Sequence, residues 1–170
     1  DLAARFPQMV TADTRAGYEG YIVQPEHLVK FTKKLRDELG YDYLSSLTGV
    51  DYIEEGKFEI VYHLAKTTGG PGVVFKVKIP RDKPEVASIT PIYRAAEFQE
   101  REVYDLFGVR FKNHPDLRRI LTWEGFEGYP LRKDWKEPYY EEDAKPFKSR
   151  WPNGQVVRSE DNNPYNDNVQ

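Results

Sequence analysis

Cysteine is absent from this 170-residue chain, and histidine occurs only three times, at His27, His63 and His114. Without a thiol, the chain cannot form a disulfide, provide a thiolate nucleophile, or bind zinc or an iron–sulfur cluster through cysteine. The three histidines lie far apart in the sequence, which disfavours a histidine-rich metal site. We therefore expect this chain to bind no metal ion and no cofactor.

Long apolar runs and a strong excess of one charge are also absent. No apolar run approaches the roughly 20 residues that cross a bilayer, and the amino-terminal segment lacks the basic-then-apolar order of an export signal. The formal net charge of -3 provides no strong field to attract nucleic acid or an anionic membrane. We expect a chain that neither spans a membrane nor binds a polyanion.

Two segments have the periodicity of amphipathic helices. In the first, Pro25 suits the first helical position, apolar residues then recur at helical spacing, and Gly40 supplies a stop. The second helix covers about 95–107, with Gly108 at its end. We expect both helices to cover one face of a sheet.

The strands predicted from the sequence lie between these helices. Residues 41–52 are rich in β-branched and aromatic side chains, and residues 58–64 and 73–79 alternate with a period of two, as in an antiparallel pair. Residues 85–93 offer another short strand. The order predicts an α+β fold, a two-layer sandwich of a mostly antiparallel sheet and two main helices.

The last third of the chain has a different composition. Six of the twelve prolines follow Gly108, and tryptophan, tyrosine and phenylalanine are scattered between them. Proline disfavours helix and sheet interiors, whereas abundant aromatic residues argue against simple disorder. We predict a globular domain over residues 1–108 and, over 109–170, a long extended tail that binds a partner and has flexible final residues.

The second helix carries charges that allow three interpretations. A helical wheel places Glu102 among apolar residues, where a carboxylate needs a cation. Catalysis by Glu100 and Glu102 is disfavoured, because residues two apart on a helix point about 200° away from each other. A solvated charged face accounts for Arg101 but not for Glu102. An ion-paired contact with the following segment or with a partner accounts for all of them and is the favoured interpretation.

The cations available for Glu102 are Arg118, Arg119, Arg132 and Lys133. Arg132 and Lys133 belong to the stretch "GYPLRKDW" (128–135), which is either a surface turn with its own salt bridge or a source of an arginine for Glu102 or for a partner's acid. Spacing alone does not choose between these interpretations.

An RNA-binding module is a remote alternative. Tyr62, Phe75, Lys76 and Lys78 are strand residues of the kinds that form aromatic and basic RNA platforms. The acidic net charge and the lack of a basic stripe argue against this class.

Two motifs resemble a known family. "ERE" at 100–102, Asp105, the following Leu106 and Phe107, His114 and "PDLRRIL" at 115–121 are similar to the signature of the C subunit, or 30-kDa subunit, of proton-pumping NADH:quinone oxidoreductase, respiratory complex I. "GYPLRKDW" is similar to the second motif of that family. The resemblance covers most of residues 24–135.

The resemblance implies a non-catalytic, hydrophilic subunit of the peripheral arm. Such a subunit packs against the quinone-site subunit, which is called the D subunit, and against neighbouring cluster-bearing subunits; it supports assembly and the quinone-reducing module. FMN and iron–sulfur clusters are then expected in partner subunits, and the complex carries electrons from NADH to quinone while translocating protons. The expected location is the cytoplasmic face of a bacterial inner membrane, or the matrix side in a mitochondrion.

Two other family branches remain open. The J subunit of a ferredoxin-dependent, plastoquinone-reducing complex and the counterpart subunit of membrane-bound hydrogenases are also similar. In each case the motif positions imply interface and salt-bridge residues rather than catalytic ones. These positions are Glu100, Arg101, Glu102, Asp105, His114, Arg118, Arg119, Arg132, Lys133 and Asp134.

Overall fold

The structure, a computed structural model, describes residues 1–18 and 20–136. One compact unit spans Asp1–Trp135. The boundary predicted at Gly108 lies inside this unit, so residues 109–135 are part of the globular fold and do not form an extended tail. The remainder of the predicted tail, with its flexible end, falls on residues 137–170 and lies outside the described residues.

The main sheet has five strands in the order β1-β2-β5-β4-β3. Its neighbours pair antiparallel except for β2 and β5, which are parallel, so the predicted mostly antiparallel sheet is confirmed. The strands are β1 (Val10–Ala12), β2 (Tyr21–Val23), β3 (Tyr43–Tyr52), β4 (Lys57–Ala65) and β5 (Val73–Pro80).

Strands β4 and β5 follow the alternation read from the sequence. Phe58, Ile60 and Tyr62 of β4 are buried, and Tyr62 pairs directly with Phe75 of β5. The predicted antiparallel pairing of segments 58–64 and 73–79 is therefore confirmed. The short strand within 85–93 exists as β6 (Glu85–Ala87), but it pairs in parallel with β7 (Arg110–Lys112) in a separate two-stranded sheet.

Three α-helices accompany the sheet in the described residues: α1 (Leu2–Arg5), α2 (Leu28–Leu39) and α3 (Ala96–Phe107). A single 3-10 turn at Pro25–His27 leads into α2, and Gly40 ends α2 in the left-handed conformation, with φ 74°. Both predicted main helices are thus confirmed.

The two main helices cover the same face of the sheet. Phe31 of α2 packs edge-on against Phe75, with 5.4 Å between ring centroids. Phe107 of α3 packs similarly against Phe58, at 5.9 Å. Because Phe58 and Phe75 share one side of the sheet, the fold is the expected two-layer α+β sandwich.

Helix α3 approaches the sheet closely at Gly49 of β3. A Cβ atom added there would lie 2.9 Å from Cδ2 of Phe107 and 3.2 Å from Cγ1 of Val103. Real Cβ atoms are rarely found that close to carbon, so the helix can pack at this distance only against a glycine. Gly49 therefore sets the separation of α3 from the sheet.

We expect Gly49→Ala to destabilise the chain by about 1–3 kcal/mol, the usual cost of overpacking a filled core. Urea unfolding of the purified 170-residue chain measures this cost. The matched control is Thr48→Ala, an exposed neighbour on the same strand, which should change stability by no more than about 0.5 kcal/mol. Equal effects of the two substitutions would contradict the close approach.

Candidate functional site

The charged helix α3 buries one side against the sheets. Its inward stripe consists of Ala96, Glu100, Val103 and Phe107, spaced i, i+4, i+7 and i+11. A carboxylate thus occupies a position in the stripe that faces the core. The segment after the helix, residues 114–135, folds back over other sides of α3, and we call α3 together with this segment the α3 junction.

Arg101 and Asp105, one turn apart, are buried on a second side of α3 by residues 118–122. Arg101 donates from Nε to the carbonyl oxygen of Arg118 (3.0 Å) and from Nη2 to that of Arg119 (3.1 Å). Asp105 accepts from the backbone amides that come next in the segment. Arg101 therefore binds carbonyl oxygens of the irregular backbone, and Asp105 binds its amide groups. Both the acceptors and the donors of this backbone are hydrogen-bonded.

One oxygen of Asp105 accepts three consecutive amides. The distances to Oδ2 are 3.0 Å from Ile120, 2.7 Å from Leu121 and 2.9 Å from Thr122, and the Thr122 hydroxyl donates to Oδ1. Burial by itself would raise the pKa of Asp105, but the hydrogen bonds from the Thr122 side chain and from the three amides lower it to about 2. Asp105 is consequently a fixed anion in an amide nest.

Arg119 supplies the cation that pairs with Asp105. Its Nη1 lies 3.1 Å from Asp105 Oδ1, and its Nη2 donates to the carbonyl oxygen of Gly128 at 2.9 Å. The guanidinium also lies over the rings of Phe126 and Tyr129, 5.8 Å and 5.1 Å from their centroids. One arginine therefore connects α3 to Phe126 and to the first two residues of the second motif.

Glu100 is fully buried and contacts the end of β6. It accepts from Ser88 Oγ at 2.6 Å and from the Ile89 amide at 2.8 Å, and the nearest cation-capable group is His114 Nε2 at 4.0 Å. Burial raises the pKa of Glu100 to about 7, although the hydrogen bonds from Ser88 and Ile89 oppose this shift. The hydroxyl of the buried Tyr62 has no hydrogen-bond partner among the described residues.

The ring of His114 connects the start of residues 114–135 to α3 by hydrogen bonds to two backbone groups. Its Nδ1 accepts a hydrogen bond from the Asp116 amide at 3.0 Å. Its Nε2 therefore carries the ring proton and donates it to the carbonyl oxygen of Glu97 at 2.9 Å. The ring therefore fixes the start of the returning segment against the first turns of α3.

Arg132 lies at the carboxyl end of α3. Its Nε donates to the carbonyl oxygen of Phe107 at 2.6 Å, and its guanidinium covers the Phe58 ring. Such a cation satisfies a terminal carbonyl and complements the helix dipole. A Cβ on Gly108, whose φ is 76°, would lie within 2.6 Å of Tyr129 and 2.7 Å of Arg132 Nη2, so glycine permits this approach.

The next two motif residues contact the sheet. The amide of Lys133 donates to Asp51 Oδ2 at 2.9 Å, while its side chain belongs to an exposed residue. Asp134 and Asp51 both bind Arg81, which lies 2.9 Å from Asp51 Oδ1. The sequence analysis missed Arg81 and Asp51, because Arg81 lies 53 residues from Asp134 and Asp51 lies 82 residues from Lys133. No local sequence pattern reports such distant pairs.

The structure reverses the burial that was predicted for Glu102 and Arg101. Glu102 is exposed and forms no ion pair among the described residues, whereas Arg101 is buried. Of the proposed cations, Arg119 binds Asp105 and Arg118 binds Asp116 at 2.7 Å. The wheel merged two apolar stripes, the buried one through Val103 and an outward one that includes the exposed Phe98, and Glu102 lies on the outward stripe.

The paired-carboxylate and RNA hypotheses do not fit the geometry. Glu100 is buried and Glu102 is exposed, so the two carboxylates do not converge on one site. Tyr62 and Phe75 are fully buried and stack on each other at 4.7 Å, and Lys76 binds Asp13 at 2.6 Å. These residues are not available to stack on bases.

Across residues 1–18 and 20–136, no helix could cross a membrane and no cluster of potential ligands could hold a metal.

A second buried ion cluster lies on the outer face of the sheet. Arg15 bridges Asp13 (2.7 Å) and Glu59 (2.9 Å), and Lys76 also binds Asp13. Arg15 holds the pKa of Asp13 well below its usual range despite burial. The alternation of strands 58–64 and 73–79 already placed Glu59 and Lys76 on the outer face, a signal that the sequence analysis did not use.

The Asp105 nest predicts protease resistance at Arg118 and Arg119. We expect Asp105→Asn to leave amide donors unsatisfied, to lower the local opening free energy by about 2 kcal/mol or more, and to speed tryptic cleavage after these arginines at least about tenfold. Mass spectrometry of timed digests measures the rate. Asp116→Asn, in the same segment but exposed, should have little effect; unchanged cleavage in Asp105→Asn would refute the nest.

Glu100 predicts a distinct pH dependence of stability. Its folded-state pKa of about 7 exceeds the ordinary 4.5, so the unfolded state ionises first and stability falls as pH rises from 4.5 to 7. Glu100→Gln should match the wild type near pH 4.5 and exceed its unfolding free energy by up to about 3 kcal/mol at pH 8. Denaturant titrations at several pH values test this, with the exposed Glu102→Gln as control. A gap that does not vary with pH would contradict the burial effect.

Comparisons with known proteins agree with the motifs. The family model described as "Respiratory-chain NADH dehydrogenase, 30 Kd subunit" matches residues 21–141. The "C 2" subunit of NADH-quinone oxidoreductase from Rhizobium etli is 42% identical over 142 residues, which are 82% of this chain and 75% of that protein. The "C/D" subunit of NADH-quinone oxidoreductase from Phocaeicola vulgatus is 45% identical over 116 residues, 68% of this chain and 22% of that protein.

Solved structures share the fold. A chain of the membrane-bound sulfane sulfur reductase, an archaeal respiratory membrane complex, matches with a TM-score of 0.71 at 25% identity, over 92% of this chain and 95% of that chain. The trypsin-resistant fragment (1-134) of Nqo5 matches with a TM-score of 0.55 at 30% identity, over 68% of this chain and 95% of that chain. The resemblance read from the two motifs is confirmed: this chain belongs to the family of the 30-kDa subunit of respiratory-chain NADH dehydrogenase, which includes the C subunit of NADH-quinone oxidoreductase.

Proposed function

We propose that the chain is a non-catalytic peripheral-arm subunit of a proton-pumping NADH:quinone oxidoreductase, and that it supports assembly and the quinone-reducing module by docking on the D subunit. Family membership supports the place in the enzyme complex. The α3 junction supports the structural role. Its buried charges Arg101 and Asp105 bind the chain's own backbone, so they fix the shape of the segment instead of lining an accessible reaction site.

The fused relative supports the choice of partner. In Phocaeicola vulgatus the similar protein is named as a joint C/D subunit, and this chain matches 22% of its length. Subunits that exist as one polypeptide in one organism are expected to lie side by side where they are separate chains. The D subunit is therefore the first partner to test, and neighbouring cluster-bearing subunits come next.

Electron transfer is assigned to the partner subunits. The absence of cysteine excludes cysteine-ligated iron–sulfur clusters from this chain, and we assign these clusters, together with the FMN of the complex, to other subunits. Quinone is reached only through the assembled complex. The proposed location is the cytoplasmic face of a bacterial inner membrane, or the matrix side in a mitochondrion.

A counterpart role in another respiratory membrane complex is the second candidate. The specific observation in its favour is the match to a chain of the sulfane sulfur reductase, with a TM-score of 0.71. The branches of the J subunit and of the membrane-bound hydrogenases belong to the same class of alternative. The subunits that accompany the chain in the native complex distinguish these candidates.

We expect an affinity-tagged copy of the chain, expressed in its native host, to co-purify with the D subunit and cluster-bearing subunits in a complex that oxidises NADH with quinone. Mass spectrometry identifies the subunits and spectroscopy reports the flavin and clusters. The purified chain alone should show no NADH oxidation.

The chemistry of the accompanying subunits decides the outcome. Hydrogenase, ferredoxin-binding or sulfur-reducing partners in place of the NADH-binding ones would replace the first candidate by the second. Co-purification without any cluster-bearing protein would contradict both. Glu102→Gln adds a further distinction, since intact assembly with lost turnover would point to catalysis by this chain.

A further inference from the structure

Exposed apolar side chains gather at the α3 junction. Within residues 1–18 and 20–136, eight large apolar residues are exposed, and four of them belong to the junction. We call these four the apolar patch. It consists of Phe98, Ile120, Leu121 and Leu131, with Leu121 62% and Phe98 58% exposed.

Each member of the apolar patch is connected to the same helix. Phe98 lies on α3, with its ring 5.8 Å from the guanidinium of Arg101. Ile120 and Leu121 donate their amides to Asp105, one turn beyond Arg101. Leu131 donates its amide to the carbonyl oxygen of Leu106 at 3.1 Å. Each of the four exposed residues therefore either lies on α3 or donates its backbone amide directly to a group of α3.

The backbone beneath this surface is fixed. Leu121, the most exposed member, has its amide 2.7 Å from a fully buried carboxylate oxygen of Asp105. A loop that only needed solubility would gain nothing from presenting leucine and isoleucine at fixed positions. Clustered apolar groups that are exposed on a rigid backbone are typical of a surface that becomes covered by another protein.

Exposed acidic residues accompany the apolar patch. Glu102 lies on the outward side of α3, and Glu124 and Glu127 lie in the segment between Leu121 and Leu131. All three are exposed, and none forms an ion pair with any cation of the described residues. Apolar side chains accompanied by unpaired carboxylates fit a partner surface that presents apolar groups together with lysine or arginine.

We propose that the apolar patch is the surface on which the D subunit docks, through apolar contacts at Leu121 and Phe98 and through cations that face Glu102, Glu124 and Glu127. This inference rests on the proposed function. The C/D relative, in which the two subunits share one polypeptide, also supports this choice of partner.

Site-specific photo-cross-linking tests the contact within the assembled complex. A benzophenone amino acid replaces Leu121 in one variant and Tyr43 in the control. Tyr43 is 52% exposed at the start of β3 and lies outside the apolar patch. We expect position 121 to cross-link to the D subunit, next to apolar residues with lysine or arginine nearby, and position 43 to give no such product.

A charge placed in the apolar patch gives an independent measure. Leu121→Glu should reduce the amount of D subunit that co-purifies with the tagged chain about tenfold or more, since it buries a carboxylate at an apolar contact. Tyr43→Glu should leave the yield unchanged. The thermal midpoint of each purified variant shows whether the chain itself still folds, and the cross-linking variant decides the question if Leu121→Glu does not.

Different results would contradict the proposed function and the assignment of the apolar patch. If the wild-type tagged chain purifies without the D subunit or its equivalent, the proposed function is overturned. If the D subunit is present but position 121 cross-links to another protein of the complex, to a second copy of this chain, to residues 137–170, or to nothing, the assignment of the apolar patch is overturned while the proposed function stands.

Discussion

Three consecutive amides, those of Ile120, Leu121 and Thr122, donate hydrogen bonds to one oxygen of Asp105, and the shape of the α3 junction depends on this arrangement. An irregular segment cannot pair its backbone with itself, so it needs fixed donors and acceptors from elsewhere. Asp105 supplies the acceptor, and Arg101 supplies donors to the two preceding carbonyl oxygens. The charges that make α3 unusual in the sequence are therefore the structural partners of an otherwise unsupported backbone.

The same helix divides its charges between two tasks. Glu100, Arg101 and Asp105 are buried and bind groups within the chain, whereas Glu102 is exposed beside the outward apolar stripe. Burying a charge is costly unless its partners are in place, so the inward charges specify one arrangement of residues 114–135. The outward carboxylate carries no such constraint and remains available to a partner. This division connects a rigid internal structure to the proposed docking role.

The elements that local periodicity determines were predictable, and those that depend on distant residues were not. The ends of the two helices at Gly40 and Gly108, and the alternation in β4 and β5, follow from residues that are close in the sequence. The short strands β1 and β2 and the parallel β6–β7 pair depend on tertiary contacts. The wheel identified α3 as charged and half-apolar, but it could not show that the returning segment would cover Arg101, because that segment itself has no periodicity. The family motifs named positions without giving their geometry: Asp105 and Arg132 bind backbone groups, and Asp134 binds Arg81.

We infer that the chain folds its proposed docking surface before any partner binds. Hydrogen–deuterium exchange of the isolated 170-residue chain, resolved to the amides of Ile120, Leu121 and Thr122, tests this most directly, because each amide donates to a buried carboxylate. The structure predicts strong protection of these three amides in the free chain, although two of the residues have exposed side chains. Exchange as fast as in an unstructured peptide, with protection only after assembly into the complex, would contradict the claim.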